Sequence, residues 1–132
     1  YKRQVLGSAE NLPFEDNSFD NVFCSFVWRN ISDTNNALNE VYRVLRPGGK
    51  FILLDMTRPK NSFLRMLHKI GTFKVLHLIG LITFNLKEYR FLYKSLDFYP
   101  QPEEHLNKDN FIDLKIERMG VFNFVYLAVF TK

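Results

Sequence analysis

The sequence predicts an α/β fold, a mostly parallel sheet that ends in an antiparallel hairpin. Three observations predict it. Two apolar runs of strand length, Phe19–Trp28 and Phe51–Leu54, flank a stretch whose apolar residues recur at helical spacing. The tripeptide Pro47-Gly48-Gly49 stands before the second run, where a helix has to stop. Two β-patterned segments, Ile112–Met119 and Phe122–Thr131, then follow each other so closely that only a hairpin can join them.

Taken in order, Lys2–Leu6 reads as a short strand ended by Gly7, and Asn11–Phe19 as a polar loop around Pro13. Phe19–Trp28 is nearly continuous apolar sequence, the sign of a strand buried on both faces. Ser32 or Asp33 can cap the helix that follows, whose inward positions are Ala37, Leu38, Val41, Val44 and Leu45. Arg43 and Arg46 fall in its last turn, where the helix dipole favours cations. Strand, helix and strand make a βαβ unit with a right-handed crossover. Residues 62–84 read as a mostly apolar helix broken near Gly71 and Gly80. Leu86–Phe98 reads as a second helix, ended by Pro100 and Pro102, and Glu103–Asn110 as a short one before the hairpin.

The 132 residues make one domain or a piece of one. The lone Cys24 excludes an internal disulfide and, lying in an apolar run, reads as a buried thiol in a reducing compartment. No apolar run reaches ~18 residues, so no transmembrane helix is expected. His68, His77 and His105 have no Cys or acid at ligand spacing, so no metal is expected. The net charge of +4 is unevenly placed: residues 56–87 carry six Lys/Arg and no acid. Within them Phe63, Leu64, Leu67 and Ile70 recur at helical spacing among Arg65, Lys69 and Lys74. That pattern suits a surface helix touching anionic lipid, or a lid helix with a solvated basic face. Cations interleaved with bulky aliphatics, not with stacking aromatics, argue against nucleic acid.

A set of short motifs then narrows the reading. Gly7-Ser8-Ala9-Glu10-Asn11-Leu12-Pro13-Phe14 precedes Asn17-Ser18-Phe19-Asp20, and Phe26-Val27-Trp28-Arg29-Asn30-Ile31 follows the first apolar run. Tyr42-Arg43-Val44-Leu45-Arg46-Pro47-Gly48-Gly49-Lys50 comes next, then Tyr89-Arg90-Phe91-Leu92, Ser95 and Tyr99-Pro100. In this order the chain resembles the C-terminal half of the ubiquinone/menaquinone-biosynthesis C-methyltransferase family. These are Rossmann-like class I S-adenosylmethionine-dependent methyltransferases. The resemblance implies residues 1–132 as a single domain, the C-terminal portion of a methyltransferase domain. The Gly-rich turn and ribose-binding acid of such enzymes have no counterpart here. The chain also departs from the family pattern: Ser8 stands where Asp is usual, and Asp55 and Thr57 where Glu and Ser are.

By this resemblance the cofactor is S-adenosylmethionine, with Ser8 and Ala9 edging the adenine and Ser25, Phe26 and Val27 facing its methionine part. The substrate is a lipid quinol methylated on a ring carbon, and Arg29 and Asn30 are the catalytic candidates. A guanidinium rarely acts as a base; it would lower the phenol's pKa and hold the water that takes its proton. The alternative for Arg29 is structural, capping a strand end or binding a neighbouring carboxylate. Residues 56–87 would lie against a membrane and offer a greasy route for a polyprenyl tail, in the cytoplasm or mitochondrial matrix. The family's missing strands would leave Val22–Val27 as an unpaired apolar edge, open to a second copy or a complementing N-terminal half. The competing reading is therefore an inactive fragment or split subunit that acts through protein–protein contact.

Overall fold

A computed structural model describes residues 4–106 and 110–132. The chain folds as two compact units that alternate along the sequence. The first takes the chain up to Asp55 together with Leu106 and residues 110–117 and 127–132, and the second takes 56–105 and 118–126.

In the first unit, β1 (Phe19–Ser25) leads through a 3-10 turn at Trp28–Asn30 to α1 (Thr34–Val44), and β2 (Leu45–Met56) follows. Asp33 caps α1 by accepting from the Asn36 amide at 2.9 Å. β1 and β2 pair in parallel, so the expected βαβ unit is present. β3 (Asp113–Met119) and β4 (Val125–Thr131) complete a four-stranded sheet among the described residues, in the order β1-β2-β4-β3. The hairpin is where the sequence places it. The balance of the sheet differs from the expectation, with one parallel pair and the remainder antiparallel. Each parallel pair needs its own crossover, and the described residues hold one βαβ unit.

Five local expectations change. Lys2 and Arg3 lie outside the described residues, while Gln4–Leu6 are exposed and irregular, with no strand among the described residues paired to them. β1 ends at Ser25 and is not buried on both faces: among the described residues it pairs with β2 alone, and Phe23 is 74% exposed. Leu45, expected on the helix, is the first residue of β2. Pro47 disfavours helical backbone at Arg46, so the chain turns extended early and runs through Pro47-Gly48-Gly49 as strand. The long helix α2 (Ser62–Ile82) passes through Gly71 and Gly80 unbroken, since a helical glycine costs about 1 kcal/mol without ending the helix. Lastly, the short helix α4 is confined to Pro102–His105, and 107–109 of its expected span lie outside the described residues.

The first unit's core is an aromatic ladder. Trp28 meets Phe51 at 5.4 Å between ring centres, Phe51 stacks on Phe130 at 5.5 Å, and Phe111 joins Phe130 at 5.0 Å. Ala37, Val41 and Val44 of α1 are buried with them. The alternation of β2 buries Phe51, Leu53 and Asp55, so the last inward position of an apolar face is a carboxylate. In the second unit α2 packs on α3 (Leu86–Phe98), with Phe73 edge-on to Tyr93 at 5.6 Å. A Cβ on Gly80 would lie 3.1 Å from the Leu86 backbone, so glycine is what lets α3 turn back so closely.

Candidate active site

Ligands of parallel sheets gather at the carboxyl ends of the strands, and β1 and β2 present such an end here. Ser25 closes β1 opposite Leu54, and the Phe26 amide donates to the Leu54 carbonyl at 2.8 Å. Phe26 takes a left-handed backbone (φ 58°), strained for so bulky a residue, which swings the chain off the sheet into Trp28–Asn30. Ser25, Phe26, Val27 and Asn30 are exposed. Trp28 is buried, and the Arg29 side chain is only 7% exposed.

Arg29 is fixed by Asp55, a residue outside the motifs that mark the site in the sequence. Its Nη1 pairs with Asp55 Oδ1, and its backbone amide donates to Asp55 Oδ2 at 3.2 Å. The Asp55 side chain is fully buried. Its signal in the sequence is an acid that ends an otherwise apolar strand, though no local pattern ties it to Arg29. Two buried donors of the same turn, Trp28 Nε1 and Arg29 Nε, have no hydrogen-bond acceptor among the described residues. Buried donors in that state favour an incoming acceptor, because desolvation has already been incurred. Cys24, at the same strand end and half-buried, has its thiol pushed up by burial and then by the Asp55 charge, so it is a poor nucleophile.

Ser8 and Ala9 belong to a separate turn, closed by a Ser8–Asn11 bridge. The Ser8 hydroxyl accepts from the Glu10 amide at 3.2 Å. Arg43 and Glu40 of α1 hold the loop that follows. Glu40 accepts from the Leu12 amide and from Arg43 Nε, both at 2.8 Å, while Arg43 also donates to the Leu12 and Phe14 carbonyls and to Asp16. The residues present suit one flank of S-adenosylmethionine. The exposed Ser25–Val27 backbone can meet its polar amino-acid end, and the Ser8 oxygen keeps a second lone pair for an adenine amino group.

The second unit holds a cluster that sequence spacing could not reveal. His68 is not isolated. Its Nδ1 lies 3.1 Å from Arg58 Nη1, and Arg58 Nε pairs with Asp97 at 2.9 Å. The same Nη1 donates to Thr72 Oγ1 at 2.8 Å, and the guanidinium lies 5.0 Å from the centre of the Tyr93 ring. His77 stacks on Phe73, and His105 bonds the Tyr99 hydroxyl at 2.8 Å.

Comparison with known proteins identifies the family. The model of the ubiE/COQ5 methyltransferase family matches residues 3–120. A ubiquinone/menaquinone biosynthesis C-methyltransferase UbiE from Rickettsia bellii is 46% identical over 101 residues, covering 76% of this chain and 41% of the relative. The mitochondrial 2-methoxy-6-polyprenyl-1,4-benzoquinol methylase of Bos taurus is 39% identical over 101 residues, covering 76% of this chain and 31% of its own. The chain thus spans less than half the length of these curated relatives. Among solved structures, a SAM-dependent methyltransferase from Thermotoga maritima superposes with a TM-score of 0.62 at 22% identity, over 96% of this chain and 62% of that one. That likeness establishes the class I methyltransferase fold. The matched span and the identities place the chain in the ubiE/COQ5 methyltransferase family.

Proposed function

We propose that this chain is the C-terminal portion of an S-adenosylmethionine-dependent enzyme that methylates a ring carbon of a polyprenylated quinol in ubiquinone or menaquinone biosynthesis. The observation that carries the reading is the gathering of Ser25, Phe26, Val27 and the Arg29–Asp55 pair at one strand end, in a chain of this family. When bound, the cofactor supplies an electrophilic methyl group. This chain's own residues do the rest. Asp55 fixes the plane of the Arg29 guanidinium, leaving Nε–H without an acceptor. A quinol oxygen beside that donor ionises more readily, which raises electron density on the ring carbon to be methylated. The exposed Asn30 would orient a second ring oxygen or the water that carries the proton away.

We read α2 as the membrane-facing element. Phe63, Met66, Ile70, Phe73, Leu78 and Ile82 are all about half exposed or more, and cations alone are interleaved among them. No helix among the described residues is long and apolar enough to cross a membrane. The relatives are bacterial and mitochondrial, which supports a cytoplasmic or matrix compartment. A second reading, a fragment acting through its sheet edge, is favoured by the exposure of Phe23 and Val27 beside the unpaired side of β1.

Calorimetry separates the two. This chain alone should bind S-adenosylmethionine more weakly than ~1 mM, and the chain joined to the N-terminal part of the Rickettsia relative at micromolar levels with methyl transfer. Micromolar binding by the short chain would mean that the cofactor site is misplaced. A joined protein that stays inactive would favour the interaction reading.

A further inference from the structure

The second unit carries an open cleft of about 330 Å³ that the reading above does not use. Its charged and amide lining comes from Arg58, Arg65, Lys69, Asp97, Gln101 and Glu104. Three cations meet two carboxylates there, which leaves one positive charge. A cleft of this size holds a ligand larger than a bare ion.

The acids of the cleft are occupied, and several of its donors are not. Asp97 Oδ1 accepts from Arg58 Nε at 2.9 Å and its Oδ2 pairs with Lys69 Nζ at 3.0 Å, so both oxygens face cations. Glu104 accepts from the Gln101 backbone amide at 3.3 Å. Arg58 is only 3% exposed and is held by Asp97, Thr72 and the Tyr93 carbonyl, which sets a fixed positive charge in the wall. Arg65 is committed on one side only. Its Nε donates to the Pro59 carbonyl at 2.9 Å, which orients the guanidinium and leaves Nη1 and Nη2 without a partner among the described residues. Lys69 follows one turn later on the same face of α2, and its ammonium has donors to spare beyond Asp97. Arg118 donates to Gln101 Oε1 at 2.8 Å, so the Gln101 side-chain nitrogen remains a donor with no partner among the described residues.

We infer that this cleft binds a phosphodiester anion, held by the Arg65 fork and Lys69 with the Gln101 side-chain amide as a third donor. Groups that only donate suit an oxyanion, and a planar guanidinium takes two phosphate oxygens at once. The surplus of one positive charge matches the single negative charge of a diester, whereas the dianion of a monoester would leave the cleft negative. The remaining space takes the ester substituents, and Phe98, which also lines the cleft and is 85% exposed, gives one of them an apolar neighbour. A phospholipid headgroup and a water-soluble diester share this chemistry. The inference stands apart from the methyl-transfer reading, whose candidates Arg29 and Asn30 belong to the first unit.

The test titrates the 132-residue chain by calorimetry with two probes, glycerophosphoglycerol and monomeric dihexanoylphosphatidylglycerol. Each should saturate one site, and each should displace the other. Glycerol phosphate, a monoester that is a dianion at about pH 8, should bind more weakly than either. Arg65→Gln should weaken both diesters roughly ten- to a hundredfold, the loss of a two-pronged, charge-assisted contact. Arg90→Gln, which removes an exposed cation of α3 outside the cleft, should leave binding unchanged. A second readout uses the unaltered chain: one arginine guanidinium NMR signal should move with glycerophosphoglycerol and not with glycerol. Tighter binding of the lipid than of its headgroup identifies a phospholipid as the source, and equal binding identifies a soluble diester. Monoester binding as tight as the diesters' overturns the ligand class. No saturable binding at millimolar concentration, an Arg65→Gln chain that binds as well as the original, or equal weakening by Arg90→Gln overturns the site. Methyl transfer by the joined protein is judged separately, so failure here is distinct from failure of the proposed activity.

Discussion

Removing the Arg29 side chain would take the guanidinium away from the fully buried Asp55 carboxylate. Breaking one partner of such a pair costs about 3–5 kcal/mol, so Arg29→Ala should unfold at much lower urea. The double variant Arg29→Met/Asp55→Leu should recover most of that loss, because no charge remains buried. If Arg29 also stabilises a phenolate, turnover of the folded joined protein should fall roughly 10²–10³-fold in Arg29→Ala. An Arg29→Ala chain as stable as the original would show that Asp55 does not depend on it. A second residue-scale expectation concerns acid. The Glu40 carboxyl is held down to about 2 by its hydrogen bond from Arg43 and then by the Leu12 amide. A lowered folded-state pKa contributes stability that is present above the ordinary carboxylate value and is lost as pH falls through the folded value. The advantage of the original chain over Glu40→Gln in melting temperature should therefore hold at neutral pH, shrink below about 4.5, and vanish near 2. An advantage independent of pH would exclude the charge as its source. At this scale the sequence made Arg29 legible, because a motif carries it. Its partner Asp55 is 26 residues away, and the Arg58–Asp97 pair spans 39, separations that no local pattern encodes.

Two glycines of α2 differ in their surroundings in a way no sequence pattern shows. Gly71 and Gly80 look alike in the sequence, yet a Cβ on Gly71 would meet nothing within 4 Å and one on Gly80 would press on Leu86. Gly71→Ala should stabilise α2 by about 1 kcal/mol through helix propensity, and Gly80→Ala should destabilise by a comparable or larger amount. Thermal melts of the two variants check this, and shifts of the same sign would refute the packing account. The elements themselves were largely legible where period and punctuation agree, as in α1 with its Asp33 cap and in the C-terminal hairpin. They were misread where punctuation competed with context. Pro47-Gly48-Gly49 looked like a full stop, but Gly48 is free to take φ 77° and Gly49 lies against the Arg46 and Asp20 carbonyls, so the tripeptide runs on as strand.

At the scale of the whole molecule, apolar surface is left over. Phe23 on β1 and Phe63, Ile82 and Phe84 along and just beyond α2 are each more than 60% exposed. Surface of that kind recruits a partner, a bilayer or another copy. In solution the chain should self-associate, and Phe23→Lys, which charges the open edge, should reduce that in light scattering. Cosedimentation with anionic vesicles but not with neutral ones should survive Phe23→Lys, since the basic helix is elsewhere; equal cosedimentation with both would remove the charge from the account. The strand order carries one more consequence, for the timing of folding. β4 comes last in the described sequence, yet it lies between β2 and β3. Lys132 then reaches back to the Gly48 amide and to the Tyr42 and Leu45 carbonyls. During synthesis, a nascent chain can close α1 onto β1 and β2 early, but the middle of its sheet stays vacant until residue 132 has left the ribosome.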